Sequence, residues 1–511
     1  VLVAGGIRFA RLAEPPDFVF DETYYAKDAC LYLGHDQEFC ESPHATEQSY
    51  VHPPLGKWLI AIGINSLGYN SLGWRAAAAL FGTAMVPLVY FLARKLFRDR
   101  WIATVAGLLT ATDFLLIVQS RTAMLDIFLA FFVVLGFLFL AFDRDRILLM
   151  RENALLPFHG ETPRREPEWR VLAGVAFGLA LATKWSAVWA IAAAAGLSLA
   201  WSYRLAAQLR TDGESFIGAD PFLLREIGRT ILAFILVPVF IYFGSYANWF
   251  ATNGFDLGEF VELHRRILDF HTKLGAQHAY QSEAITWPFV IRPVAYFWDG
   301  EPKASHILAF GNPAIWWPAL LAAVWMVIRS FRRWRPERYI LVAWFVQYGA
   351  WLLLTSAGIS TYLDQILFLM FLLVGVPWTV YIFMKNFSKM RLWGGRDIAI
   401  CAVYLFILLV GIPLALFYLP FPSSSGRAAI FFFYMAPIAP FMMIGLAAAL
   451  GALREAGSRS ADLEVKRVFR LATTLYLAAA MMLTVYFYPV LTALGLQSDS
   501  WSHRMWLRSW I

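Results

Sequence analysis

Apolar runs long enough to cross a bilayer, for which roughly 20 residues are needed, recur along the chain with short polar breaks. They fall at about 74–93, 102–119, 124–142, 171–184, 186–203, 230–249, 313–328, 339–357, 361–384, 397–418, 428–452 and 468–489. Residues 1–12, VLVAGGIRFARL, read as the end of a further span that begins before Val1. The pattern predicts an all-α polytopic membrane protein, one transmembrane domain over 1–511 with about 11–13 helices. Two long polar loops interrupt it, at 13–73 and 250–312, and a short one lies at 419–427.

Composition agrees with lipid as the solvent. Hydrophobic residues make up 59% of the chain and charged residues 15%, against about 25% charged in soluble domains. The formal charge of +7 would fit nucleic acid if it were clustered, but 28 of the 43 Lys and Arg residues fall in alternate loops, at 94–101, 143–170, 204–229, 329–338, 385–396 and 453–470. Basic loops stay on the cytoplasmic side. That places 13–73, 250–312, 419–427 and the C-terminal tail on the other, extracytoplasmic face, and no nucleic-acid partner is expected. No G-x-x-x-x-G-K-[ST] phosphate loop is present, so a nucleotide-driven pump is not indicated. Cys30 and Cys40 flank a short stretch of the first outer loop, where a disulfide and two free thiols both fit the spacing.

Candidate chemistry gathers at the outer face. Asp21 and Glu22 are adjacent carboxylates beside the membrane; either one is desolvated into a base or both are merely solvated. In VHPPLGKWLIA at 51–61, His52 and two prolines precede Lys57, a cation for a lipid phosphate or a plain interfacial anchor. SRTAMLD at 120–126 puts Arg121 and Asp126 at an outer turn, and LATKWSA at 181–187 does so for Lys184. Charges this close to hydrocarbon are costly unless paired, used or snorkelling. The second loop carries His264, His271, His278 and His306 without the spacing of a metal site, and Arg292, whose fork of donors suits phosphate. Tyr24, Tyr25, Trp185 and Trp287 either line a substrate site or belong to the interfacial aromatic belt. Asn312 reads as the cap of the span beginning at Pro313.

Taken in order, FDE at 20–22, HPPLGK at 52–57, SRxxMLD at 120–126, TKW at 183–185, SxxxxWPFxxRPVxY at 282–296, GNP at 311–313 and RxxxFFFYMAP at 427–437 resemble the protein O-mannosyltransferases. The similarity is greatest to the bacterial, actinobacterial branch, because no β-trefoil domain is inserted in the 250–312 loop. No family motif falls in 358–426. The resemblance implies a GT-C-type multispanning glycosyltransferase of the cell membrane, with its active site formed by outer loops and the 250–312 loop capping it. It would transfer mannose from polyprenyl-phosphate mannose to Ser or Thr hydroxyls of exported polypeptides, with inversion at the anomeric carbon. Asp21 would be the base, and Glu22 would orient the acceptor or support the loop. Lys184 and Arg292, then Arg121 and Lys57, would hold the donor phosphate. Tyr24, Tyr25, His52, Trp185, Trp287, Asp126 and Arg427 would line the substrates. No metal or other cofactor is firmly implied; the partners are the lipid donor, the acceptor polypeptide, membrane lipids and, by family analogy, the secretion channel. The rival reading keeps the fold and changes the acceptor to a lipid or envelope glycan.

Overall fold

The computed structural model describes residues 1–42, 49–154, 168–209, 221–273, 278–330, 335–356, 429–459 and 461–511. The spans predicted at 361–384 and 397–418, and Arg427, lie outside the described residues. Among the described residues seven helices are long and apolar enough to cross a bilayer, eight if a bent pair counts as one span.

Helix α1 (Leu2–Phe9) leads through a loop to α2 (Glu22–Tyr32) and α3 (Leu55–Leu67). The predicted loop 13–73 thus carries two helices of its own, and a Cys30–Cys40 disulfide ties the end of α2 to the chain that returns from it. Helix α4 (Ser71–Phe97) starts where the Asn70 side chain accepts from the Gly73 N–H, satisfying an orphan donor of the first turn. The span predicted at 102–119 is broken into α5 (Arg100–Thr112) and α6 (Phe114–Arg121), which meet at 57°. Asp113 makes the break: its carboxylate caps α6 through the Leu116 N–H at 3.1 Å and accepts from Trp316 Nε1 at 2.7 Å. Asn312, expected to cap the helix after it, does accept from the Ala314 N–H through its Oδ1, and its amide N–H donates to the Thr112 carbonyl at the end of α5.

Helix α7 (Asp126–Ala154) runs through the centre with α4, α8 (Trp169–Leu181) and α9 (Ala187–Leu209) around it. Its most apolar stretch is 78% buried, against 22% for residues 223–245 and 17% for the last long helix; the latter two therefore lie at the periphery of the bundle. Helix α8 has 13 residues, about 20 Å, and stops short of a full crossing. It lies close on the next helical segment because a Cβ on Gly174 would fall 2.0 Å from the Ala233 carbonyl oxygen; small residues permit such approach in lipid. That segment is α10 (Pro221–Ile231), a π-helical turn Leu232–Leu236 and α11 (Val237–Ser245).

The second outer loop contains α12 (Ala247–Asn253), the amphipathic α13 (Leu257–Lys273) and an antiparallel hairpin, β1 (Val294–Asp299) with β2 (Ser305–Ala309). Helices α14 (Pro313–Ser330), α15 (Pro336–Ser356), α16 (Ala439–Ser458) and α17 (Leu463–Leu491) complete the described bundle. One expectation is corrected here: helix does not begin at 428 but at Ala439. Residues 429–438 form a buried, largely non-helical segment with one 3-10 turn, Phe432–Met435, and Pro437 and Pro440 mark where helix can start.

At the end of the bundle away from the outer loops, buried charges join α7, α8 and α10. Asp143 meets Arg146 at 2.9 Å and Arg170 at 2.8 Å, and Arg170 meets Glu226 at 2.8 Å. Removing one member of such a network strands its partners in a low dielectric. Arg170→Met is expected to cost about 3–5 kcal/mol, seen as a lower Tm for the purified protein; an unchanged Tm would show the network to be dispensable.

Candidate functional site

The site is built on Glu22. Its carboxylate is fully buried and receives Arg75 Nε and Nη2, each at 2.8 Å, the Ala123 N–H at 2.8 Å, the Val19 N–H at 3.0 Å and Trp74 Nε1 at 3.3 Å. The remaining donors of Arg75 bind the carbonyls of Leu12, Pro15 and Asp17. One ion pair thereby pins the first outer loop to α4 and to the α6–α7 turn. Between Val19 and Glu22 the chain turns sharply, with Phe20 at φ +50°, a left-handed conformation unfavourable for an aromatic residue. Its ring stacks on Tyr296 at 4.6 Å and lies edge-on to Phe433 at 5.7 Å. Asp21 follows, half-buried, and accepts from the Tyr25 hydroxyl at 3.3 Å.

Lys184, in the turn between α8 and α9, donates to both carboxylate oxygens of Asp126 at 3.0 and 2.9 Å. Its ammonium also lies 4.7 Å from the Tyr434 ring centroid and 5.6 Å from that of Phe433. Asp126 opens α7, where a helix N-terminus favours a negative charge. The two groups of residues meet through Phe433, whose ring is edge-on to Tyr296 at 5.7 Å and 5.6 Å from the Lys184 ammonium, and the Tyr25 and Tyr296 phenols both feel Asp21 and Asp126. Burial, and then those carboxylates, push both phenols well above the ordinary range, so each keeps its proton. Tyr296 in turn accepts from Gln119 Nε2 at 2.7 Å.

Histidine and aromatic rings continue the wall from Tyr25 to Lys184. His52 lies 6.1 Å from Tyr25 and stacks on His271 at 5.3 Å, and His271 lies 5.9 Å from Trp185. Trp185 Nε1 donates to the Tyr242 hydroxyl at 2.8 Å, which donates to His264 Nε2 at 2.8 Å; His264 Nδ1 donates to the Phe260 carbonyl at 2.8 Å. This direction follows from the partners, and burial lowers the His264 pKa, which keeps the ring neutral.

Other expected site residues have different surroundings. Lys57 is buried and paired with Asp28 at 2.7 Å. Arg121 caps α1, donating to the carbonyls of Ile7, Arg8, Ala10 and Arg11, the groups a helix C-terminus leaves open. Arg292 binds the carbonyls of Ala279 and Ser509 at 2.9 and 2.7 Å, fastening the hairpin loop to the tail. These three cations are held by protein oxygens. Trp287 is fully buried behind Tyr434, its indole N–H on Ser282 Oγ at 2.9 Å. Tyr24 is exposed. Of the four histidines, His264 and His271 share the wall at Trp185, whereas His306 accepts from Trp501 at 3.2 Å and His278 lies beside Phe20. Sequence reasoning assigned no role to Tyr296, Tyr434, Phe20 or Arg75. The first three stand inside the quoted motifs, and Arg75 is an arginine within the apolar run 74–93, which is the signal it carries.

The chain matches the sequence model described as dolichyl-phosphate-mannose-protein mannosyltransferase over residues 1–252, and that of the C-terminal four TMM region of protein-O-mannosyltransferase over 256–413. It is 28% identical to the polyprenol-phosphate-mannose–protein mannosyltransferase of Mycolicibacterium smegmatis, with 98% of this chain and 90% of that protein covered. To the protein of the same name from Corynebacterium glutamicum it is 30% identical over 67% of this chain and 71% of that one. The fold matches the S. cerevisiae protein O-mannosyltransferase Pmt1-Pmt2 complex bound to the sugar donor, with a TM-score of 0.63 at 13% identity, over 99% of this chain and 91% of that one. It also matches ArnT from Cupriavidus metallidurans bound to undecaprenyl phosphate, with a TM-score of 0.51 at 14% identity, over 98% and 77%.

The two neighbouring carboxylates are expected to separate experimentally. Glu22→Ala leaves Arg75 buried and unpaired and costs about 3–5 kcal/mol, whereas Asp21→Asn keeps Tm within about 2 °C of the parent. Equal Tm values for the two variants would remove the structural role given to Glu22.

Proposed function

The chain belongs to the dolichyl-phosphate-mannose-protein mannosyltransferase family, and on that premise we propose how its residues carry mannose from a polyprenyl-phosphate donor to a Ser or Thr hydroxyl of an exported protein. The observation that carries the reading is the convergence of Asp21 and the Lys184–Asp126 pair on one surface lined by Tyr25, Tyr296 and Tyr434.

A Ser or Thr hydroxyl is a weak nucleophile until its proton has somewhere to go. Asp21 is half-buried and therefore reachable, and the Tyr25 hydrogen bond fixes its orientation. In the proposed step the acceptor oxygen attacks C1 of mannose while its proton passes to the Asp21 carboxylate. The bond from C1 to the phosphate oxygen breaks, and its electron pair leaves with the polyprenyl phosphate. A single displacement inverts the anomeric centre. The donor brings its own activation, since the leaving phosphate is a stable anion and no carboxylic acid has to protonate it, unlike the leaving group in glycoside hydrolysis.

Charge builds on that phosphate as the bond breaks. Lys184 has three N–H donors; with Asp126 occupying one or two, at least one remains for a phosphate oxygen. The Asp126 carboxylate holds the ammonium in place before substrate arrives, and a preorganised donor is worth more than one that must reorient. Glu22 acts by holding the turn that presents Asp21. Lys57, Arg121 and Arg292 shape the site through the loops they fasten. The aromatic and histidine wall at Tyr25, His52, His271 and Trp185 offers flat faces for a sugar or peptide.

An extracytoplasmic site is supported by the basic loops at the opposite end and by the Cys30–Cys40 disulfide, since disulfides persist in oxidising compartments. There the acceptor is an exported chain.

Transfer from purified polyprenyl-phosphate mannose to a Ser/Thr-rich peptide tests the assignment. Asp21→Asn is expected to lower kcat about 100–10,000-fold with little change in donor KM. Near-normal turnover of this variant at saturating substrates would remove Asp21 as base. Transfer to a lipid or glycan acceptor but not to peptide would overturn the protein acceptor.

A further inference from the structure

At the end of the bundle away from the site, α4 and α7 part to leave a groove of about 530 Å³. Its floor is apolar, made by Phe91, Leu138 and Phe142, and its rim is Arg94, Lys95 and Arg98 with Asp145. Helix α7 runs from Asp126 in the site to Asp145 in the groove, roughly 28 Å at 1.5 Å per residue. That is close to the hydrocarbon thickness of about 30 Å, so the groove opens at the opposite membrane interface.

The rim carries more positive charge than its carboxylate can answer. Asp145 already receives Arg144 at 2.7 Å and Lys95 at 2.9 Å, with Arg98 at 3.8 Å. Lys95 lies over the Phe142 ring at 4.1 Å, which turns its ammonium inward. The nearby Asp99 is spent as the cap of α5, accepting from the Ile102 N–H at 2.9 Å, and Asp143 belongs to the buried network with Arg146 and Arg170. Arg94 makes no ion pair among the described residues, and Arg98 is 79% exposed at its side chain. Arg98 is the left-handed C-cap of α4 (φ +55°), its N–H on the Arg94 carbonyl, so both basic side chains stand at the same end of the helix on the groove's rim. Below them Phe91 is 56% exposed at the lipid-facing mouth. An anion between two arginines, with an apolar tail beneath it, would satisfy both halves of the groove.

We propose that this groove binds one anionic glycerophospholipid of the adjoining leaflet, its phosphate held between Arg94 and Arg98 and one acyl chain laid along Phe91, Leu138 and Phe142. The site is separate from the donor site, which lies at the other end of α7. A headgroup bearing net negative charge is preferred to a zwitterionic one, because a choline cation would meet the same arginines.

The full chain, purified in detergent and titrated with phosphatidylglycerol or phosphatidylcholine, tests this by native mass spectrometry. The parent is expected to retain one phosphatidylglycerol in preference to phosphatidylcholine. The Arg94→Gln/Arg98→Gln double variant is expected to bind it roughly thirtyfold more weakly, with mannosyl transfer retained as evidence of an intact fold. Arg94→Lys/Arg98→Lys is expected to keep most of the preference. Equal retention of the two lipids by the parent, or undiminished phosphatidylglycerol binding by the Gln variant, would overturn the proposal. So would displacement of the lipid by glycerol phosphate at equal concentration, which would mean that the apolar floor contributes nothing.

Discussion

The outer half of this protein depends on one buried ion pair, Glu22 with Arg75. A carboxylate and a guanidinium out of water are tolerable only when nearly every lone pair and N–H is answered. Here five donors meet Glu22, and Arg75 spends the rest of its fork on loop carbonyls. The answering groups come from the chain before α2, from α4 and from the turn before α7. Satisfying the pair therefore fixes three segments at once, and the position of Asp21 is a by-product of that requirement.

The same rule governs the other charges near lipid. Lys57 has Asp28, Arg121 has the end of α1, Arg292 has the tail, and Lys184 has Asp126. What distinguishes Lys184 is the place of its partner and the rings that cover it. A carboxylate at a helix N-terminus neutralises the ammonium without using all its donors, and aromatic rings from a distant segment cover it. Arg121 spends its donors on four carbonyls and becomes part of the scaffold.

The membrane character, most of the described span positions and the gathering of Asp21, Asp126 and Lys184 at one end of the bundle were legible because hydropathy and charge act locally along the chain. Family motifs supplied the reaction. What the sequence did not disclose follows from pairing between distant residues. Nothing near Arg121 indicates that it caps α1, because its acceptors are backbone carbonyls, which carry no side-chain signature. Residues 429–438 are as apolar as a span, so hydropathy read them as the start of the span 428–452; their rings are buried against Trp287, Trp351 and Phe20 within protein. Asp113 lies inside the apolar run 102–119 without a local sign of a break, yet it divides that run in two. The equivocal cysteine spacing became a disulfide only when α2 and the returning chain were placed.

The stacking of Phe20 on Tyr296, with Phe433 at its edge, has a consequence in time as well as in space. Residues near the start, middle and end of the chain meet there, so the contact has a very large sequence separation. While synthesis proceeds from the N-terminus, α4 can already receive Glu22 and the first loop can settle. The aromatic cover over Lys184 has to wait until Phe433 and Tyr434 have been made and brought back across the intervening spans. The growing chain is thus without a finished site for most of its synthesis, and competence arrives in one late step, when the last third of the polypeptide closes over the first.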